Sequence, residues 1–269
     1  MTTGCWKIRE VGDQEGLHGL LIRDRLAAAY LLGDLDPRYT DYCRWWGAYN
    51  AEDSLQAVVL LYTGLRLPAL LTFGETDGIE RIFDDPAVQA EMPSRVFAHI
   101  MNGHLGALQG LYELDSMRSM IRMGLSRDDF KDPGEDLSAV RAVTHADTAG
   151  LMGLYKHYPD NFFEPYQLET GLYFGVEAAD RLVSVAGVHI FSETYDLAAI
   201  GNVVTHPEHR SKGHSRRCTS RLLKALFDDV SLVALNVQKS NLAAHRVYSR
   251  LGFSDHVRYL EGLVQRRHD

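Results

Sequence analysis

The sequence predicts an α+β fold, a mixed central sheet flanked by helices, laid out twice in tandem. Short apolar runs of strand type alternate with amphipathic runs at helical spacing. The strand-and-helix order of the second half is echoed in the first. A charged, aperiodic stretch containing Pro133 and Gly134 separates the two. These observations place a first domain at 1–125, a linker at 126–137 and a second domain at 138–269. The 269 residues allow one or two domains, and a hydrophobic content of 45% suffices for buried cores.

In the first half, WKIREV (6–11) reads as a strand and 14–32 as a helical region. AVVLLYTGLRLPALLTFGE (57–75) reads as paired strands. Residues 94–101, 104–114 and 116–125 then repeat strand, helix, strand. Between Phe73 and Ser94 the chain is acidic, GETDGIERIFDDP over most of its length. His99, Asn102, Gly103, His104 and Gly106 form a strand-to-helix turn without Arg or Lys, which reads as structural. Tyr39, Tyr42, Trp45, Trp46 and Tyr49 form a dense aromatic group interleaved with Arg38 and Arg44. In an acidic protein this group suits packing or a pocket wall better than base stacking.

In the second half, LSAVRAVT (137–144) reads as a strand and 145–158 as a helix. Residues 172–191 read as two strands turning near Ala179 and Asp180. AAIGNVVT (198–205) is an apolar strand, followed by a proline turn and a helix from near Arg216 to about Asp229. LVALNV (232–237) is a strand. Ser240 or Asn241 caps a helix in which Ala244, Val247, Tyr248 and Leu251 recur at helical spacing, with Gly252 as terminator. A last strand pair lies around 256–265.

The turn after 198–205 carries the chemistry. Arg210, Ser211, Lys212, Gly213, His214 and Ser215 lead straight into the helix. The first N–H groups of a helix lack internal partners, and its dipole favours negative charge there. Arg216, Arg217 and Arg221 lie in the first two turns, where the dipole disfavours cations by about 0.3–1 kcal/mol each. A bound polyanion reverses that sign. The turn is therefore predicted to bind phosphates.

The spacing R-x-x-G-x-S (Arg210, Gly213, Ser215) resembles the pyrophosphate-binding signature of the GNAT superfamily of N-acetyltransferases, with serine at its last small position. The pattern N-x-x-A-x-x-x-Y-x-x-x-G-F, from Asn241 through Tyr248 to Phe253, resembles the fourth-helix motif of the same family. The two occur in the family's order within about 136–267. The first half resembles a degenerate copy without the signature. The resemblance implies the GNAT acyl-CoA N-acyltransferase fold and acetyl-CoA as co-substrate. It places Val203, Val204 and Thr205 along the pantetheine arm, and Arg210 with the amides of Ser211–Arg216 on the pyrophosphate. Asn241 and Tyr248 match positions at the thioester end.

Acyl transfer to an amine needs a base, because an amine of pKa about 10 is protonated at neutral pH. It also needs an oxyanion donor, for which a strand N–H near Val203 serves. An acid for the departing thiolate completes the set, and Tyr248 is the candidate. Glu193 is the candidate base by residue type, weighed against His189 and Asn202; His206 reads as a turn residue. Glu164 or Glu169, in the aromatic stretch 157–171, would attract a cationic amine.

The net charge of −8 argues against wholesale nucleic-acid binding, so any basic site is local. Cys5, Cys43 and Cys218 have no metal-like spacing, no metal is expected, and Cys218 reads as core. No run approaches a membrane span and no signal-peptide pattern opens the chain, so a cytoplasmic setting is expected without membrane partners. The expected acceptor is an amine of a small molecule, amino acid or peptide, and monomer and homodimer both fit. A non-catalytic acyl-CoA sensor is the alternative reading.

Overall fold

The computed structural model describes residues 6–114, 116–158 and 163–267. The chain forms two compact units. Unit 1 comprises Met1–Arg122, Gln238–Ser240 and His256–Asp269; unit 2 comprises Met123–Val237 and Asn241–Asp255.

Unit 1 begins with β1 (Lys7–Glu10), α1 (Gln14–Leu21) and α2 (Ala29–Asp34). Then come β2 (Cys43–Tyr49), β3 (Leu55–Tyr62), β4 (Ala69–Gly74), α3 (Thr76–Asp84), α4 (Pro86–Glu91), β5 (Arg95–Met101), α5 (Leu105–Gln109) and β6 (Tyr112–Glu113). β2 had no alternating signal because Trp45, Trp46, Ala48 and Tyr49 are all buried. A strand covered on both faces reads as a continuous apolar run. Three of the five aromatics at 39–49 are thus core residues, and Trp46 joins the cluster under α3.

The sheet of unit 1 runs β1-β2-β3-β4-β5, antiparallel except for a short parallel contact of β4 with β5. The C-terminal strand, Ser254–Arg266, completes it: Tyr259–Gln265 pair antiparallel with Met101–Arg95. This departs from the expected second domain of 138–269 and from the expected strand pair. Residues 254–266 form one strand, and Gly262 lets it pass so close to the Ser116 carbonyl that a Cβ would collide. The expected linker is also packed. Arg127 and Lys131 donate their backbone N–H groups to the carbonyls of Ser231 and Leu251, each at 3.0 Å, and Asp132 pairs with Lys224 at 2.7 Å.

Unit 2 receives residues 123–126 of β7 (Arg118–Ser126), then β8 (Val140–Ala142), α6 (Thr148–Tyr155), β9 (Phe174–Ala178), β10 (Arg181–Ser192) and β11 (Leu197–Thr205). α7 (His214–Asp229), β12 (Leu232–Gln238) and α8 (Leu242–Arg250) follow. Its sheet order is β8-β9-β10-β11-β12-β7, again antiparallel up to one parallel pair, β11 with β12. The two units share a plan strand for strand, as tandem copies should. α7 packs across β9, β10 and β11, and α6 against β10 and β11. Cys218, Leu222, Leu223 and Leu226 supply the fully buried stripe of α7. Burial pushes the Cys218 thiol up to about 12, so it stays protonated as a core residue. Among the described residues no helix is long and apolar enough to cross a membrane.

Gly252 shows why the fourth-helix motif needs its glycine. It ends α8 at φ +106, and a Cβ there would overlap the Asp129 carbonyl. Gly252→Ala is expected to destabilise the chain by about 1–3 kcal/mol in urea unfolding; an unchanged midpoint would refute this packing.

Candidate functional site

The site is built where β11 leaves β12. The two strands pair only from Leu197↔Leu232 to Ile200↔Leu235. Beyond Ile200, β11 runs on to Thr205 without β12 beside it, and its edge is open. A strand edge carries unpaired N–H and C=O groups that an extended molecule can join.

Two register shifts shape this edge. Val185 faces Val204 but Gly187 faces Gly201, so β11 has one extra residue between them. Asn202 sits in that bulge at φ +53, an uncommon conformation for a residue with a side chain. Val188 faces Ile200 but Ile190 faces Ala199, so β10 carries its own extra residue at His189. Two glycines make room: a Cβ at Gly201 would enter the His189 ring, and one at Gly187 the Tyr173 ring.

A buried polar network holds the bulge. The Asn202 amide donates to Gln167 Oε1 at 3.1 Å and Tyr173 Oη at 2.9 Å. The Tyr173 hydroxyl reaches the Val188 carbonyl at 3.0 Å, and the Tyr155 hydroxyl donates to the Asn202 carbonyl at 2.9 Å. Beside it Phe163 stacks on Tyr155 and meets Tyr173 edge-on. Burial pushes the Tyr173 phenol up, and it pushes the His189 imidazole down, so both are neutral. His189 is thus a sheet histidine within this network. The sequence did not single out Tyr155, Gln167 or Tyr173; they lie 29–47 residues from Asn202, and no local spacing records that.

At the end of β11 the polar groups divide. The Val204 carbonyl accepts the Ser184 hydroxyl of β10 at 3.0 Å and so turns inward. The Thr205 carbonyl accepts the Tyr158 hydroxyl instead. Of Val203, Val204 and Thr205, expected together along one ligand arm, Val204 faces β10.

The loop then bends through two left-handed residues, Ser211 at φ +63 and Gly213 at φ +78. Gly213 is there for its dihedral, since a Cβ would meet open space. α7 starts at His214, two residues earlier than expected, and among the described residues no side chain caps it. Its first amides therefore have no side-chain cap, and a helix start of this kind suits an anion. Arg210, Ser211 and Lys212 are exposed beside them.

The charges are arranged differently from the expectation. Arg216 pairs with Glu135. Arg217 donates to the Lys212 carbonyl at 3.0 Å, and Arg221 lies 4.6 Å over the Phe174 ring. Those three cations near a helix N-terminus are thus largely spent on protein partners; Arg210 and Lys212 are exposed, with Arg210 also donating to the Tyr158 hydroxyl at 3.0 Å. Histidines gather instead: His157 and His206 are 4.5 Å apart by ring centre, His206 and His209 5.7 Å, His209 and His214 6.4 Å. His206 also accepts the Glu208 N–H at 3.3 Å, the turn role expected of it.

Asn241 caps α8, its Oδ1 accepting the Ala244 N–H at 3.1 Å. Its side-chain acceptor is therefore used structurally, and its amide donors remain. Tyr248 is 7% exposed and lies edge-on to Phe253 at 5.9 Å. Burial pushes its phenol up to about 12, and among the described residues its hydroxyl has no hydrogen-bond partner.

Glu193 lies elsewhere. It is exposed in the β10–β11 turn, its carbonyl accepting the Asp196 N–H at 3.1 Å. That turn is where β11 starts. Five residue steps separate Leu197 from Asn202, about 17 Å at ~3.3 Å per residue, beyond a glutamate's reach. Glu164 caps the short helix Pro165–Thr170, and Glu169 is exposed. Part of the aromatic stretch at 157–171, residues 159–162, lies outside the described residues.

Unit 1 differs at the corresponding junction. One residue, Glu75, separates β4 from α3, and Glu75 and Asp77 put carboxylates where the dipole would draw an anion. His104 is buried with its ring nitrogens 2.8 Å from Thr72 Oγ1 and 3.1 Å from the Gly74 carbonyl. Among the described residues no cluster of His, Cys, Asp or Glu could hold a metal ion.

Residues 140–253 match the model of the acetyltransferase (GNAT) family. No curated protein matches the chain. Among solved structures it is similar to a GCN5-related N-acetyltransferase from Sphaerobacter thermophilus, with TM-score 0.61, 16% identity and coverage of 97% of this chain and 95% of that one. It is also similar to a GCN5-related N-acetyltransferase from Kribbella flavida, with TM-score 0.63, 14% identity and coverage of 91% and 95%. A tandem GNAT protein from the clavulanic acid biosynthesis pathway aligns over 98% of this chain and all (100%) of that one, with TM-score 0.59 and 13% identity. At these identities the structural likenesses speak to the fold alone.

Tyr173→Phe strips the network of its central hydroxyl and leaves buried partners unsatisfied. It is expected to cost about 1–3 kcal/mol in denaturant unfolding; a variant as stable as wild type would show that the network does not hold the bulge. The loop, the open edge and the buried tyrosines all fall within one matched segment: over residues 140–253 the chain carries a domain of the acetyltransferase (GNAT) family, whose chemistry is acyl transfer.

Proposed function

We propose that unit 2 is an N-acetyltransferase, taking an acetyl group from acetyl-CoA to an amine of a small molecule, amino acid or peptide. The carrying observation is the uncapped start of α7 behind two left-handed residues, at the end of a strand whose edge has just come free. A diphosphate fits the first, and an extended amide-bearing arm fits the second. On this reading the two halves of a coenzyme A molecule would lie on adjoining backbone.

In this reading the amides of Ser211, Lys212, Gly213, His214, Ser215 and Arg216 hold the diphosphate, with Arg210 and Lys212 supplying charge. Thr205 and Val203 offer the edge, and a bulge N–H at Val203 steadies the oxyanion. The Tyr248 phenol, kept protonated by burial, offers its O–H as a hydrogen bond to the departing thiolate, a weaker base than the phenolate, and the thiolate takes its proton from water. Asn241 contributes its free amide donors near the same end. Glu193 is too distant to serve as the base. The amine must reach the bulge already neutral, or lose its proton through water along the Tyr155–Asn202 side, where buried acceptors converge. A cytoplasmic enzyme without nucleic-acid or membrane partners, monomeric or homodimeric, is consistent with this reading.

Acetyl-CoA at 100 times its Kd should stabilise the protein by about 2.7 kcal/mol in thermal unfolding. Gly213→Val should abolish that stabilisation, because valine resists φ near +78. Tyr248→Phe should lower turnover on an amine panel, read as free thiol released, with little change in coenzyme affinity. Binding without thiol release on any amine would favour the sensor reading.

Binding should also depend on pH. His206 and His214 titrate below their ordinary value, each through burial first, then through His157 for His206 and Arg217 for His214. A bound polyanion raises both values, so binding takes up protons. Affinity should therefore rise as pH falls from about 8 to about 6, by calorimetry. A pH-independent Kd would remove the histidines from the binding site.

A further inference from the structure

Tyr158 follows α6 and touches two parts of the proposed coenzyme site at once. Its hydroxyl donates to the Thr205 carbonyl on the open edge of β11. The same oxygen accepts from Arg210 Nη2 at 3.0 Å, and the Arg210 guanidinium carbon lies 5.7 Å from the centre of its ring. A phenol has one proton to give. Here it goes to the strand edge, while the lone pairs take the arginine of the R-x-x-G-x-S turn.

An open edge is costly to leave bare, since a half-buried carbonyl without a partner forfeits about a hydrogen bond's worth of stability. Tyr158 meets that need at Thr205. An extended arm that joins the edge presents an amide N–H to the same carbonyl. A diphosphate at α7 draws the guanidinium that the phenol now holds. Both halves of the coenzyme thus compete with one side chain.

We propose that Tyr158 is a displaceable placeholder for the coenzyme arm: it covers the Thr205 carbonyl, holds Arg210, and sets coenzyme affinity by having to be moved aside. The inference rests on the reading of the β11 edge as the coenzyme groove. It names the residue that governs access to that groove.

The test is calorimetric titration of wild type, Tyr158→Phe and Tyr158→Leu with coenzyme A and with ADP, which keeps a diphosphate and lacks the arm. The phenylalanine variant should bind coenzyme A roughly 2- to 10-fold more tightly, the equivalent of one hydrogen bond. ADP should tighten by a smaller factor, through Arg210 alone. Leucine should act in the same direction. Unchanged or weaker coenzyme A binding by a variant with wild-type circular dichroism would overturn the proposal. Equal tightening of ADP and coenzyme A would overturn it too, because the phenol would then act on the phosphates and not on the arm. Wild type that binds neither probe would sink the coenzyme reading itself, a distinct result.

Discussion

The structure of unit 2 turns on one shortfall in pairing. β11 and β12 run side by side for four residues and then part. A parallel pair needs a crossover, and α7 is that crossover, so the parting edge and the start of the helix are made by the same stretch of chain. Loop, edge and helix dipole are therefore not three features brought together from afar. They are consecutive along residues 201–217, and this is why the proposed seats of a diphosphate and of the arm attached to it fall on a single segment.

The bulges are the cost of this arrangement and part of its use. A left-handed asparagine inside a strand is held only if its surroundings over-determine it. Gln167, Tyr155 and Tyr173 do so with hydrogen bonds, and Gly187 and Gly201 do so by admitting aromatic rings against the backbone. The network is neutral throughout, since burial suppresses the charge of both His189 and Tyr173. Unit 1 keeps the sheet plan but has neither the loop nor an anion-ready helix start, its junction being one residue long and acidic. The two sheets keep one plan while their strand-to-helix junctions differ.

Much of this was legible along the chain. The succession of most strands and helices along the chain, the strand–turn–helix junction and the cap at Asn241 follow from local patterns: apolar periodicity, Arg210–Ser215, and an asparagine three residues before Ala244. What could not be read was set across the sheet. β2 is apolar on both faces, so its period vanished. The C-terminal strand carries no mark of which sheet it will join. Glu193 had the right chemical type, yet strand length puts it at the wrong end of β11. Arg216 and Arg221 looked like phosphate ligands because the sequence does not show Glu135 or Phe174 waiting for them. The tyrosines at 155, 158 and 173 act through partners distant in sequence or through backbone carbonyls, to which residue spacing is blind.

The central claim is that the backbone from Thr205 to Arg217 is the coenzyme's seat. Amide hydrogen exchange with and without coenzyme A tests it directly. The account predicts that peptides covering 203–217 gain protection on adding coenzyme, while those covering 74–80 of unit 1 exchange at the same rate as before. Protection in the unit 1 peptides with none at 203–217 would contradict it.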